Sequence, residues 1–552
     1  MERALRGLNT LAVMPTGAGK SLCYQLPATL LPGVTVVISP LIALMQDQCD
    51  KLNELGISAV QLNSALDAQA LRDAELAVAD GSARIIFTTP ERLADTEFQA
   101  LLKRLKIALL VVDEAHCISQ WGHDFRPAFI EIGTVLPELG SPPVLALTAT
   151  ANDEVVADIT RQLRIPAAGV LAGCSYRPNL QLRVEAASDE RAKLARVVEI
   201  AASAEGPTIV YAATVKAAAS IHQALLEAGI AASLYHGKLS AAQRQESQQA
   251  FMGGQVNTMV ATNAFGLGID KADIRLVVHY QVPARLDVYC QESGRAGRDG
   301  APARCVLMFL AGDRAVQQFF LNGRYPTVDD GNALVALLEN PQKDGRPWTP
   351  DLLKETLQRP ASKLRVLLNL LRREGWIQID DDGCISLSSA AADRPDLQAL
   401  LTAYVARGEQ DRGRLEQMVA YAQTGACRWR TLLEAFEEPL HLQGQRCLSC
   451  DNCLRMAAHE RELAATVAAS EGEPSITAAM DRKRFAEGDA VRVRRYGAGT
   501  VVEASRESIT VLFDGVKERR CFHPDFVKLR PVARPRRHAA FETPGSIPAH
   551  SS

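Results

Sequence analysis

Three short stretches carry residues whose types and spacing suit phosphate chemistry. In "MPTGAGKS", Met14 to Ser21, two glycines precede a lysine and a hydroxyl. Gly17 and Gly19 let the backbone curl so that the amides of Thr16 to Ser21, Ala18 included, face a phosphate chain. Lys20 can then reach the β- and γ-phosphates, and Ser21 can ligate Mg²⁺. Met14 stands where the general pattern has its first glycine. In "DEAH", Asp113 to His116, adjacent carboxylates follow the apolar run "IALLVV". An aspartate there suits Mg²⁺, and the glutamate suits orientation of an attacking water. In "QESGRAGRDG", Gln291 to Gly300, two arginines three apart lie among glycines. Such a loop presents guanidinium groups to charge developing on a γ-phosphate, with Arg298 as the arginine finger and Arg295 supporting it.

A fourth stretch concerns metal. Of twelve cysteines, eight are scattered, and four lie between 427 and 453. Cys447, Cys450 and Cys453 form a C-x2-C-x2-C run, and Cys427 or His441 completes four ligands. A thiolate set in a reducing compartment favours Zn²⁺ over disulfides, and four ligands close the shell of a structural site.

These residues need elements to hold them. From about residue 10 to 320, β-branched runs such as "GVTVVISP", "PVLALTAT", "PTIVYAAT" and "IRLVVHYQ" alternate with longer helical stretches. That alternation predicts βαβ units and parallel sheets. The fold class is α/β, with one domain over 1–170 and another over 171–325. Over 326–400, the order helix, turn, helix and two strands around "DDG" predicts a winged-helix-like segment. A helical metal-binding module follows at 401–456, and a linker at 457–480. A small all-β module comes next at 481–530, with a disordered Pro-, Arg- and Ser-rich tail at 531–552.

The 552 residues exceed one hydrophobic core, and 47% hydrophobic with 23% charged residues is ordinary for a globular protein. The net charge of −3 excludes a globally basic nucleic-acid binder but not a local basic groove. From 481 to 552 the balance is 15 Lys/Arg against 9 Asp/Glu, or +6. No apolar run approaches the ~18 residues that span a bilayer, so no membrane partner is expected. The first twenty residues lack the pattern of a signal peptide, and a cytoplasmic location is the expectation.

Taken together, "MPTGAGKS", "SPLIALMQDQ", "TTPERL", "DEAHCISQWGHDFRPAF", "LTATA", "ATNAFGLGIDKADIR" and "QESGRAGRDG" resemble the RecQ family of superfamily 2 DNA helicases, in unbroken order over roughly residues 5–320. The resemblance implies two RecA-like domains binding ATP with Mg²⁺ between them. It implies coupling roles for His116, Thr148 and Thr150, with Asp270 and Gln291 near the nucleotide. It also implies 3′ to 5′ movement on single-stranded DNA, unwinding of branched or duplex DNA, and work in repair, recombination and replication. The most discriminating segment follows "DEAH". Trp121, His123, Phe125 and Phe129, with Arg126 among them, offer π-faces and a cation to stacked bases, each worth ~1–3 kcal/mol. "YHGKLS" with Arg244 resembles the family's strand-contacting segment. The matching "CR…CxxCDxC" selects Cys427 as the fourth zinc ligand.

Two departures carry expectations. The family's upstream F-R-x-x-Q segment, whose Gln contacts adenine, would lie before "MERALRGLNT". Either the natural start is further upstream, or ATP is held mainly by its phosphates, with weak discrimination against other nucleotides. The winged-helix pattern precedes the zinc cluster instead of following it, and the chain finishes in an SH3-like β module that suits duplex contact or a protein partner. Two alternatives are therefore carried: a DNA-stimulated translocase or annealing motor that unwinds poorly, and a non-catalytic DNA-binding scaffold. Intact Lys20, Asp113, Glu114 and Arg298 argue against the scaffold.

Overall fold

The computed structural model describes residues 1–470 and 485–531, apart from 16, 64–65, 120–126, 150, 152, 174, 266–270, 341–346, 381–382, 389–395, 439–441, 443–445, 494–495, 506–507, 515–518 and 524–528. The expected disordered tail falls almost wholly outside the described residues.

Strands β1 (Thr10–Val13), β2 (Val34–Ile38), β3 (Ala59–Leu62), β4 (Ile85–Thr88), β5 (Ile107–Val112), β6 (Val144–Thr148) and β7 (Val170–Ala172) form one parallel sheet in the order β3-β4-β2-β5-β6-β1-β7. Their apolar runs are continuous because helices cover both faces. Alternate side chains enter opposite cores. Leu11, Val36, Leu110 and Val112 pack on one side, and Ala12, Val37, Leu109 and Val111 on the other.

A second parallel sheet holds β8 (Leu180–Ala186), β9 (Thr208–Tyr211), β10 (Ala232–Tyr235), β11 (Thr258–Ala261), β12 (Leu276–His279) and β13 (Ala303–Phe309), ordered β10-β11-β9-β12-β13-β8. Because β7 pairs with β1, the first domain runs past the expected boundary at 170, and the crossing to the second occupies 173–179.

Helices Val328–Glu339, Pro350–Leu357 and Ala361–Arg373 precede the antiparallel hairpin β14 (Ile377–Ile379) and β15 (Ile385–Leu387); Ile385 also bridges Trp348. The first helix starts at a capping box between Thr327 and Asp330. The buried Asp330 carboxylate pairs with Lys363 at 2.7 Å and Arg359 at 2.8 Å, tying this helix to the third. Helices Leu397–Gln423, Arg428–Ala435 and Asp451–Ser470 follow. The last corrects the expected linker, since residues 457–470 are helical. Its alanines, glutamates and leucine are strong helix formers that outweigh the small-residue appearance.

The C-terminal module is described by itself. Strands β16 (Ala490–Val493), β17 (Gly497–Ala504), β18 (Ile509–Phe513), β19 (Arg519–Phe522) and β20 (Arg530–Pro531) form an antiparallel sheet ordered β19-β18-β17-β16-β20. Val491, Val501, Val511 and Phe513 form its core, with the Tyr496, Phe513 and Phe522 rings clustered 5.4 to 5.9 Å apart. Among the described residues, no helix is long and apolar enough to cross a membrane.

Candidate active site and metal centre

The carboxyl ends of β1 and β5 flank β6 in the first sheet, and the catalytic residues sit at these ends. After β1 the chain turns through Gly17 and Gly19 at φ +84° and +78°, a region that side chains disfavour, and enters helix Leu22–Leu30. Lys20 Nζ donates to the Met14 carbonyl at 3.2 Å, and Gln48 Nε2 donates to Ser21 Oγ at 3.2 Å. The role of Gln48 was not assigned from sequence; it lies in "SPLIALMQDQ", and only the fold brings it to Ser21.

Asp113 and Glu114 follow β5 at once. Glu114 takes a left-handed conformation, φ 49° and ψ 46°, strained for a non-glycine residue and of a kind that collects at functional sites. The turn buries both carboxylates. Burial, then repulsion from Glu114, pushes the Asp113 carboxyl above its usual range, although Lys20 opposes this. Burial would raise Glu114 too, but His116, Lys20 and Arg295 outweigh it and hold that carboxyl low. Glu114 Oε2 stands 3.2 Å from His116 Nδ1, yet that ring is aligned on Thr148 Oγ1 at 3.1 Å. The Glu114 oxygen is buried without a hydrogen-bond partner among the described residues.

The second domain closes this site. A cavity of ≈ 480 Å³ is lined by Lys20, Ser21, Asp113 and Glu114 from the first domain and by Gln291, Arg295 and Arg298 from the second. A β-carbon placed on Gly17 would sit 3.2 Å from Arg298 Cγ, so Arg298 lies directly over the phosphate loop. Arg295 is buried, 4% exposed.

Two residues of the interdomain crossing set this loop and were missed from sequence. Arg177 donates to the carbonyls of Gly294, at 2.8 Å, and Gly297. Asn179 Nδ2 donates to Gly297 O at 2.8 Å and Ala301 O at 2.9 Å. The available signal was a polar "RPN" in a connection where nothing polar is needed.

Phe129 is corrected. Its ring is fully buried in the first domain's core, because the turn Pro127–Phe129 packs inward against Pro90–Leu93, so it cannot stack on a base. Thr16, Trp121, His123, Phe125, Arg126, Thr150, Asp270 and His441 lie outside the described residues.

The sulfurs of Cys427, Cys447, Cys450 and Cys453 all lie within 4.8 Å of one another, and all but Cys447 are buried. A tetrahedral zinc–thiolate shell needs sulfur separations of about 3.8 Å, so the set fits zinc. Backbone N–H groups of Arg428 and Cys450 point at Cys450 and Cys447 Sγ, at 3.4 and 3.3 Å, which favours thiolates. Beside them the fully buried Arg428 pairs with both Asp451 oxygens at 2.9 and 3.1 Å. Asp451 in turn accepts from Val184 N of β8 at 3.0 Å, and Trp429 Nε1 donates to Leu180 O at 3.2 Å. Removing one partner of such a pair strands a buried charge. Arg428→Ala is therefore expected to lose about 3–5 kcal/mol in denaturant unfolding of the helicase core; a loss under about 1 kcal/mol would mean the pair does not hold this junction.

A phosphate loop, a strand-end carboxylate pair and arginines supplied across a two-domain cleft define a RecA-like motor core of the DEAD/DEAH class. Comparison with known proteins agrees. Family profiles described as DEAD/DEAH box helicase, helicase conserved C-terminal domain and RecQ zinc-binding match residues 1–159, 191–300 and 391–454. The chain is 33% identical over 460 residues to the ATP-dependent DNA helicase RecQ of Synechocystis sp. (strain ATCC 27184 / PCC 6803 / Kazusa), covering 80% of this chain and 91% of that one. It is 38% identical over 355 residues to the probable ATP-dependent DNA helicase RecS of Bacillus subtilis (strain 168), covering 64% and 71%. It is 44% identical over 314 residues to the RecQ of the same organism, covering 57% and 53%, so it matches only about half the length of that curated relative. This chain belongs to the RecQ family.

Proposed function

We propose that this chain is a cytoplasmic ATP-dependent DNA helicase that moves 3′ to 5′ on single-stranded DNA and opens branched or duplex DNA in repair, recombination and replication. The observation that carries the reading is the buried Glu114 carboxylate, held low beside Lys20, in a cleft that Arg295 and Arg298 enter from the other domain. Lys20 and the loop amides hold the β- and γ-phosphates. Glu114 orients the water and takes its proton. Arg298 and Arg295 offset charge on the transferring phosphoryl group, and Gln291 senses it. Mg²⁺, which Ser21 and Asp113 are placed to hold, would supply further neutralisation of phosphate charge. Because the arginines lie on the second domain, hydrolysis changes how firmly the two domains are held together. His116 and Thr148 lie on the path from Glu114 to β6. Trp121, His123, Phe125 and Arg126 are proposed to meet the strand, and the C-terminal module to meet duplex or a protein partner.

A weakly unwinding motor is the second reading. It is favoured by the sequence that joins β14 to β15, which carries three consecutive aspartates, Asp380 to Asp382, a charge unsuited to lying against phosphates. Duplexes with 3′ or 5′ single-stranded tails separate the two. The helicase reading expects ATP-dependent strand displacement from the 3′ tail and none in Lys20→Ala. DNA-stimulated ATPase without displacement would select the second reading, and absence of both would remove the motor.

A further inference from the structure

In the second domain, the turn after β11 runs from Thr262 to Phe265 and is closed by the bond from Phe265 N to Thr262 O at 3.0 Å. Thr262 and Asn263 floor a groove of ≈ 820 Å³, rimmed by Lys216, Lys238 and the Phe319 ring, which is 75% exposed. The lysines, the amino end of helix Val215–Glu227 and an exposed aromatic ring match a phosphate backbone with stackable bases. Beneath the turn lies Tyr211, at the end of β9 and only 3% exposed. Its hydroxyl donates to the Phe265 carbonyl at 2.9 Å, and the Arg295 charge lies beside it, both residues lining one cavity. Arg295 also lines the nucleotide cleft.

We infer that Tyr211 is a positioning residue that carries the state of the nucleotide cleft, through Arg295, to the floor of the strand-binding groove. This rests on the DNA-motor reading. Three facts make the hydroxyl a directional link and not mere filling. It donates to the turn at Phe265 while standing beside the Arg295 charge, so two different functional segments act on one O–H group. Burial pushes its pKa well above the ordinary phenol value, so it remains an O–H donor. The ring is held in place: it stacks on His279 at 5.6 Å and 25°, and His279 Nε2 is fixed by Glu292 at 2.9 Å. Glu292 neighbours Gln291 on helix Leu286–Ser293, so ring and arginine share one support. A shift of Arg295 on phosphate loss therefore pulls on the Phe265 carbonyl, and with it on the closed turn beneath the strand.

Tyr211→Phe keeps the ring and removes only the link. With oligo-dT as probe, DNA-free ATPase is expected to stay within about twofold of wild type, while maximal stimulation by DNA falls about tenfold. The ratio of oligo-dT affinities with a non-hydrolysable ATP analogue and with ADP should move toward one. Unchanged stimulation and an unchanged ratio would overturn the inference, as would equal loss of activity with and without DNA, which belongs to a packing role. A wild-type protein that DNA does not stimulate would remove the motor reading itself, and the link with it.

Discussion

Glu114→Gln is expected to bind ATP with near wild-type affinity and to hydrolyse it about 10²–10⁴-fold more slowly, the range that a positioned general base supplies. The substitution is nearly isosteric, so the left-handed turn that places Glu114 is retained. What it removes is the capacity to take a proton. In the folded protein that capacity is protected on purpose-built terms. The oxygen is buried 3.2 Å from His116 Nδ1, and His116, Lys20 and, from the other domain, Arg295 keep the carboxyl ionised. Pre-steady-state turnover beside a nucleotide-binding titration measures both halves. Full turnover would transfer the base role elsewhere, and lost binding would make Glu114 a structural residue of the cleft.

Arg298→Ala is expected to lower kcat about 10³-fold or more, with little change in the KM for ATP, as when an arginine finger is withdrawn from phosphoryl transfer. Arg298 and Arg295 are not equivalent. Arg298 lies over Gly17 of the phosphate loop, half-buried at the mouth of the cleft. Arg295 is buried and also faces Glu114 and Tyr211. Loss of Arg295 should therefore disturb hydrolysis and DNA coupling together, whereas loss of Arg298 should strike hydrolysis first. A KM effect with intact kcat would show that Arg298 binds the ground state.

Much of this was legible in the sequence because the responsible forces are local. Strand-forming runs buried on both faces must be apolar throughout, and "VTVVI" and "LLVV" announce themselves. A phosphate loop needs glycines at left-handed positions next to lysine, and those constraints are contiguous. Three cysteines two apart are a ligand set by spacing alone. Phe129 shows the limit. In the chain it belongs with Trp121 and Phe125, and only the inward turn at Pro127 sends its ring to the core. Helix 457–470 was hidden for a different reason, since small residues serve helices and linkers alike.

The sequence by itself determined the class of chemistry: a phosphate cradle, a carboxylate pair, an arginine loop and a thiolate set, together with the α/β framework that separates them. Tertiary structure alone decided which of these meet. Arg298 reaches Gly17 across some 280 intervening positions because two sheets present their ends to one cleft. Arg177 and Asn179 shape the arginine loop from the interdomain crossing, and Tyr211 ties the end of β9 to the turn at Phe265. Spacing along the chain encodes contacts within a turn or an element. Contacts between elements depend on the order of strands in a sheet, which parallel crossovers fix only after folding.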